Sequence, residues 1–127
     1  METIDKILVV DDDTSMIKLY KRIIPSLGYA KLDNILIAEN GKIALDMVKK
    51  EKNNIKLIIT NTNMPEMNGY ELIENARKIG YTNFIIQATG NPENEIARYA
   101  NSMLAKPFSL DELDAELGKY IKKPVLA

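Results

Sequence analysis

The stretch LIITNTNMPEMNG at 57–69 sets how the whole chain reads: an apolar run that turns polar, then Met64-Pro65, then Asn68-Gly69. Leu57, Ile58 and Ile59 follow one another without alternation, the pattern of a short strand covered on both faces. The proline and glycine that follow forbid its continuation. Asn61 and Asn63 therefore stand where a central strand stops. In an open parallel sheet, ligands bind in the crevice beyond the carboxyl ends of the strands.

Runs of the same kind recur along the chain. Residues 7–10 are apolar and stop abruptly at Asp11, Asp12 and Asp13; 35–38 and 84–88 are similar; 103–105 is brief and closed by Lys106-Pro107. Between them the apolar spacing turns helical. From Thr14 it runs Met16, Leu19, Tyr20, Ile23 and Leu27, with Gly28 as the stop and Pro25 expected to kink or shorten the last turn. After Asn40, an N-cap, come Ile43, Ala44, Met47 and Val48; over 70–79 come Leu72, Ile73, Ala76 and Ile79. Asn91-Pro92-Glu93 resembles a cap with proline at the first helical position, and the few residues left before the next strand make that fourth helix short. Ser109 and Glu112 form a capping box before Leu110, Leu113, Leu117, Tyr120 and Ile121, with acids early and lysines late. Five strands alternating with five helices predict a doubly wound α/β fold around a five-stranded parallel sheet, as a single domain over 1–127.

Composition limits the chemistry. A chain of 127 residues, 46% apolar, can bury roughly two-thirds of its unfolded surface in one core. A formal charge of −1, from 17 basic and 18 acidic residues, offers no electrostatic footprint for nucleic acid or an anionic membrane, so a protein is the expected partner. Without cysteine there is no disulfide, zinc site or thiol nucleophile, and without histidine no imidazole base. The N-terminal residues are polar and no apolar run reaches the length of a signal core or a membrane span, which predicts a cytoplasmic protein.

Three successive aspartates at a strand end repel one another unless a cation or amide donors offset the charge. Asp13 or Thr14 has a simple task as helix cap. For Asp11 and Asp12 a hard divalent ion is the expected partner, because magnesium is satisfied by one or two carboxylates, a carbonyl and water. Met64-Pro65 and Gly69 after a third strand, the acids after the first, Thr89-Gly90 after the fourth and Lys106-Pro107-Phe108-Ser109 after the fifth together resemble the receiver domains of two-component response regulators. Glu39-Asn40-Gly41 fits as well, so the resemblance covers essentially the whole chain.

The resemblance implies a flavodoxin-like strand order 2-1-3-4-5 and a magnesium-dependent acyl-phosphate switch in a phosphorelay. It implies Asp12 as a direct metal ligand, Asp11 acting partly through water, and Asn63 giving its backbone carbonyl. Lys106 would pair with a phosphoryl oxygen, or with the acids in its absence, and Thr89 would hydrogen-bond the same oxyanion. The implied partners are a histidine kinase or phosphotransfer protein and a downstream target protein; no enzymatic activity of its own is expected.

The phosphoacceptor position, however, is Asn61. An amide cannot form the acyl phosphate, so the chain is expected not to be phosphorylated there. Met103 stands where many members carry an aromatic, which removes a ring-rotation switch. Two readings of Asn61 follow: a receiver whose carboxylate was replaced, by design or by recent natural change, or a pseudo-receiver that binds a protein without phosphorylation. Retention of Asp11, Asp12, Thr89 and Lys106 favours the first. A third reading, a haloacid-dehalogenase-type phosphatase, rests only on 11–15 and lacks that class's later acidic motif and cap insertion.

Overall fold

Five parallel strands form one sheet in the spatial order β2-β1-β3-β4-β5. In the computed structural model, which describes residues 5–91 and 96–123, they are β1 (Lys6–Val10), β2 (Ile35–Ala38), β3 (Ile55–Asn61), β4 (Phe84–Thr89) and β5 (Ser102–Ala105). Among the described residues four α-helices connect or follow them: α1 (Thr14–Ser26), α2 (Gly41–Glu51), α3 (Gly69–Lys78) and α4 (Leu110–Gly118). A single 3-10 turn, Leu32–Asn34, precedes β2. None of the described helices is long and apolar enough to cross a membrane.

The unalternating runs are strands buried on both faces. Ile7, Val9, Leu57, Ile59, Ile86, Ala88 and Leu104 face one cluster with Tyr20, Ile23 and Ile24 of α1 and Leu113 and Leu117 of α4. Leu8, Val10, Ile58 and Ile85 face the other, with Ala44, Leu45 and Val48 of α2 and Leu72, Ile73 and Ala76 of α3. At about 1.5–3 kcal/mol for each large aliphatic side chain buried, these two layers dominate the favourable side of folding.

Local chemistry starts and stops the helices as expected, with one addition. Asp13 accepts from the Ser15 N–H at 2.8 Å, Asn40 from Ile43 at 2.9 Å, and Ser109 with Glu112 closes a capping box. Asn68 and Glu71 close a second capping box, which starts α3 at Gly69. α1 ends at Ser26, one residue after Pro25, and Gly28 follows at φ +87°.

Three expectations need correction. Ile43 is 41% exposed and Leu110 55% exposed, because the buried stripe of α2 runs through Gly41, Ala44, Leu45 and Val48, and that of α4 through Leu113 and Leu117. Tyr120 and Ile121 lie past the end of α4, although Ile121 is still buried. The fourth of five expected helices is not among the described residues: Pro92 and Glu93 fall outside them, and 96–100 makes only a turn at Arg98 and Tyr99. Side chains do there what helical bonds would have done. Gln87, buried on β4, accepts from the Ala97 N–H at 2.6 Å, and the Arg77 guanidinium donates to the Tyr99 carbonyl at 3.1 Å and to Asn101 Oδ1 at 3.1 Å.

Register brings the strand ends level. Val10 pairs with Ala38 and Thr60, Asn61 with Ala88, and Thr89 with Ala105. The two outer ladders, β1–β2 and β4–β5, continue one residue further, through Asp11 N–H to the Ala38 carbonyl at 3.1 Å and Lys106 N–H to the Thr89 carbonyl at 2.7 Å.

Candidate functional site

Alternation along the strands sorts the polar residues at this rim. Asp11 follows Val9 by two, Asn61 follows Ile59 and Lys106 follows Leu104, so the three continue the face covered by α1 and α4. They meet there: the Lys106 ammonium donates to Asp11 Oδ2 at 2.8 Å and to Asn61 Oδ1 at 3.0 Å. Asp11 is 1% exposed, and its other oxygen accepts the Asp13 N–H at 2.9 Å. A carboxylate so deeply buried requires its cation.

Asn61 spans the site. Its Oδ1 takes Lys106, and its Nδ2 donates to the Asn63 carbonyl at 2.9 Å and to Asp12 Oδ1 at 3.3 Å. The amide orientation is fixed by its partners, since an ammonium only donates and a carboxylate or carbonyl only accepts. Two of the three oxygens expected to hold a cation, Asp12 and the Asn63 carbonyl, are thus occupied by one amide nitrogen. The NH2 group satisfies acceptors that a divalent ion would satisfy.

The donor set suits magnesium in kind: two carboxylates and a carbonyl, all hard oxygen, at an open strand-end rim. Among the described residues no three His, Cys, Asp or Glu side chains form a metal-holding group, so any cation here depends on Asn63 and on water.

Thr89 lies next to Lys106 through the backbone but continues the opposite face, the one that carries Gln87. Its hydroxyl accepts from the Asn91 N–H and donates to the Asn91 carbonyl, both at 3.1 Å, and the residue is fully buried. The site therefore unites Asp11, Asp12, Asn61, Asn63 and Lys106, with Thr89 turned to its own loop. Gly90 leaves space above it, since a Cβ there meets nothing within 4 Å.

One contributor went unread in the sequence. Thr62 donates to the Ala88 carbonyl at 2.9 Å and accepts from Gln87 Nε2 at 3.1 Å, which pins the residue after Asn61; a lone glutamine inside an apolar strand was the available signal. Gly69 closes the loop after β3, its N–H on the Thr62 carbonyl at 2.8 Å. A Cβ there would lie 2.3 Å from the Asn61 carbonyl oxygen, which is backbone and cannot rotate away. Gly69→Ala is expected to cost about 1–3 kcal/mol through overpacking and to disturb Asn61 with it. An unchanged urea midpoint would show that the loop has slack.

The response regulator receiver domain family model matches residues 7–118. The chemotaxis protein CheY homolog of Campylobacter jejuni is 34% identical over 119 residues, 88% of this chain and 88% of that protein. The sensor histidine kinase RcsC of Escherichia coli is 33% identical over 122 residues, 92% of this chain but 12% of that protein. Among solved structures, the response regulator protein TrrA from Thermotoga maritima in complex with Mg(2+)-BeF is 30% identical, with a TM-score of 0.80 over 92% of this chain and 99% of that one.

Proposed function

The chain belongs to the response regulator receiver domain family, and on that premise we propose a magnesium-binding receiver of a two-component phosphorelay that is complete except for its nucleophile, Asn61. Asp12 would ligate the cation directly, Asp11 would act partly through water, and Asn63 would contribute its carbonyl. Magnesium, when bound, offsets the carboxylates and a phosphoryl oxygen. Lys106 is positioned to pair with that oxygen, and Thr89 reaches it by turning from Asn91. With an amide at position 61 no acyl phosphate forms, and the protein is a cytoplasmic signalling module and not an enzyme. Its partners are a histidine kinase or phosphotransfer protein and a downstream target protein.

The observation that carries this reading is the bonding of Asn61: its carboxamide makes, on one side to Lys106 and on the other to Asp12 and the Asn63 carbonyl, the contacts a carboxylate would share with a lysine and a cation. The Mg(2+)-BeF held by TrrA supports the cation assignment. The same closed network also supports a second reading, a pseudo-receiver satisfied without ion or phosphoryl group.

Magnesium titration tests the first reading. The ion must displace Nδ2 from two oxygens, so binding is expected to be weaker than with an acid at position 61 and to shift the backbone amide resonances of Asp12 and Asn63. Resonances that stay fixed at high millimolar magnesium would remove the metal site and leave the pseudo-receiver.

A further inference from the structure

Among the described residues, the Tyr20 hydroxyl is the buried side-chain polar atom that finds no hydrogen-bond partner. The residue is 1% exposed, and its ring packs in the cluster of Val9, Ile59, Ala88 and Leu104. A phenylalanine would fill that space without stranding a hydroxyl, whose burial unpaired is costly. Packing alone therefore gives no reason for a tyrosine.

Its surroundings do. Val9 and Leu104 precede Asp11 and Lys106 by two residues on the same face, so the ion pair sits at the rim of the cluster that holds the ring. A helical side chain leans toward the N-terminus of its helix, which for α1 is the end at Asp13 and the strand rim. On the other side the ring meets Phe108, two residues after Lys106, with centroids 5.8 Å apart. Burial first, and then the charge of Asp11, push the hydroxyl's pKa well above its ordinary value, as expected of a protonated donor close to a carboxylate. Lys106 is the side-chain donor on Asp11, and Asp13 supplies one backbone N–H.

We propose that Tyr20 is a positioning residue for Asp11, a reserve donor whose hydroxyl hydrogen-bonds the Asp11 carboxylate when Lys106 turns to another anion. The occasion for that turn, a phosphoryl oxygen in the site, rests on the function proposed above; the exchange of donors does not. A carboxylate 1% exposed would otherwise lose the side-chain donor it has among the described residues each time the lysine moved.

A stability cycle tests this in chelator with no phosphodonor, so that its outcome is independent of whether the domain is ever phosphorylated. Tyr20→Phe in the otherwise unaltered protein is expected to raise the urea midpoint, because an unpaired hydroxyl is removed. In Lys106→Met the same change is expected to lower it, because the hydroxyl has become the donor to Asp11. In Lys106→Arg, which restores a cation, it is expected to raise it again. The Lys106→Met pair is compared in sucrose, which strengthens burial and keeps that background folded. A rise in every background would overturn the proposal by showing a hydroxyl that never reaches Asp11; a fall in every background would overturn it by showing a structural bond unrelated to Lys106. Reaction of Asn61→Asp with a phosphodonor, measured separately, tells failure of the receiver reading from failure of the donor exchange.

Discussion

Asn61→Asp is expected to turn a protein inert to small phosphodonors into one that takes up a single labile phosphoryl group in the presence of magnesium. The new carboxylate oxygen attacks phosphorus, the donor's leaving group departs with its bonding pair, and the acyl phosphate is seen as a mass increase absent from the Asn61 protein. Lys106 already lies on Asn61 Oδ1 at 3.0 Å, so the amide-to-acid change needs no rearrangement to place the cationic partner. The same change should destabilise the protein in chelator. It replaces the Nδ2 donor to Asp12 and the Asn63 carbonyl with an acceptor. It also sets a third carboxylate within roughly 5–6 Å of another, an interaction of about 3 kcal/mol at an effective dielectric near 20 that Lys106 and water reduce. Magnesium should then raise the midpoint of Asn61→Asp more than that of the Asn61 protein, since a ligand of the folded state stabilises more the tighter it binds. A folded Asn61→Asp protein that takes up no phosphoryl group would leave the pseudo-receiver reading. One that melts no lower in chelator would show that the acids are not clustered.

Lys106→Met is expected to be among the most destabilising single changes at the rim, at about 3–5 kcal/mol, because it keeps the apolar stem and strands a buried carboxylate. Asp11 is 1% exposed and would keep the Asp13 N–H and, by the exchange of donors proposed above, the Tyr20 hydroxyl, neither of which carries the charge that Lys106 supplied. Against a total stability of about 5–15 kcal/mol that loss is readily measured as a fall in the urea midpoint. Asp11→Asn combined with Lys106→Met should lose less than Lys106→Met alone, since a neutral amide does not require the cation. Equal losses would mean that the pair is not coupled, and an unchanged midpoint in Lys106→Met would mean that Asp11 is solvated.

The rim was legible because each strand is an apolar run that ends on a polar residue, so Asp11, Asn61, Thr89 and Lys106 could be placed before their contacts were known. The helix starts at Thr14 and Leu110 were legible from their caps, and Asn68 with Glu71 carried the same signal for α3, one residue from where periodicity alone had put it. Periodicity failed where the buried stripe is narrow: Ile43 and Leu45 are both apolar neighbours of Ala44, and which of them faces the sheet depends on how α2 is rotated. Of the short helix announced by Asn91-Pro92-Glu93, residues 92–95 lie outside those described, and at 96–100 Gln87 and Arg77 supply bonds to the Ala97 N–H and the Tyr99 carbonyl from other elements. The direction of the Thr89 hydroxyl, the reach of Asn61 Nδ2 and the isolation of the Tyr20 hydroxyl are tertiary facts with no local sequence signature.

The carboxamide of Asn61 can be watched itself. Its two Nδ2 protons, bonded to Asp12 and to the Asn63 carbonyl, give a side-chain pair in a nitrogen–proton correlation spectrum that can be followed as magnesium replaces chelator. The expected result is that this pair shifts together with the Asn63 backbone amide, along one binding curve, as the nitrogen gives up both oxygens to the ion. An Asn61 pair that stays in place while Asn63 moves would contradict the substitution of amide for cation on which the reading of this site depends.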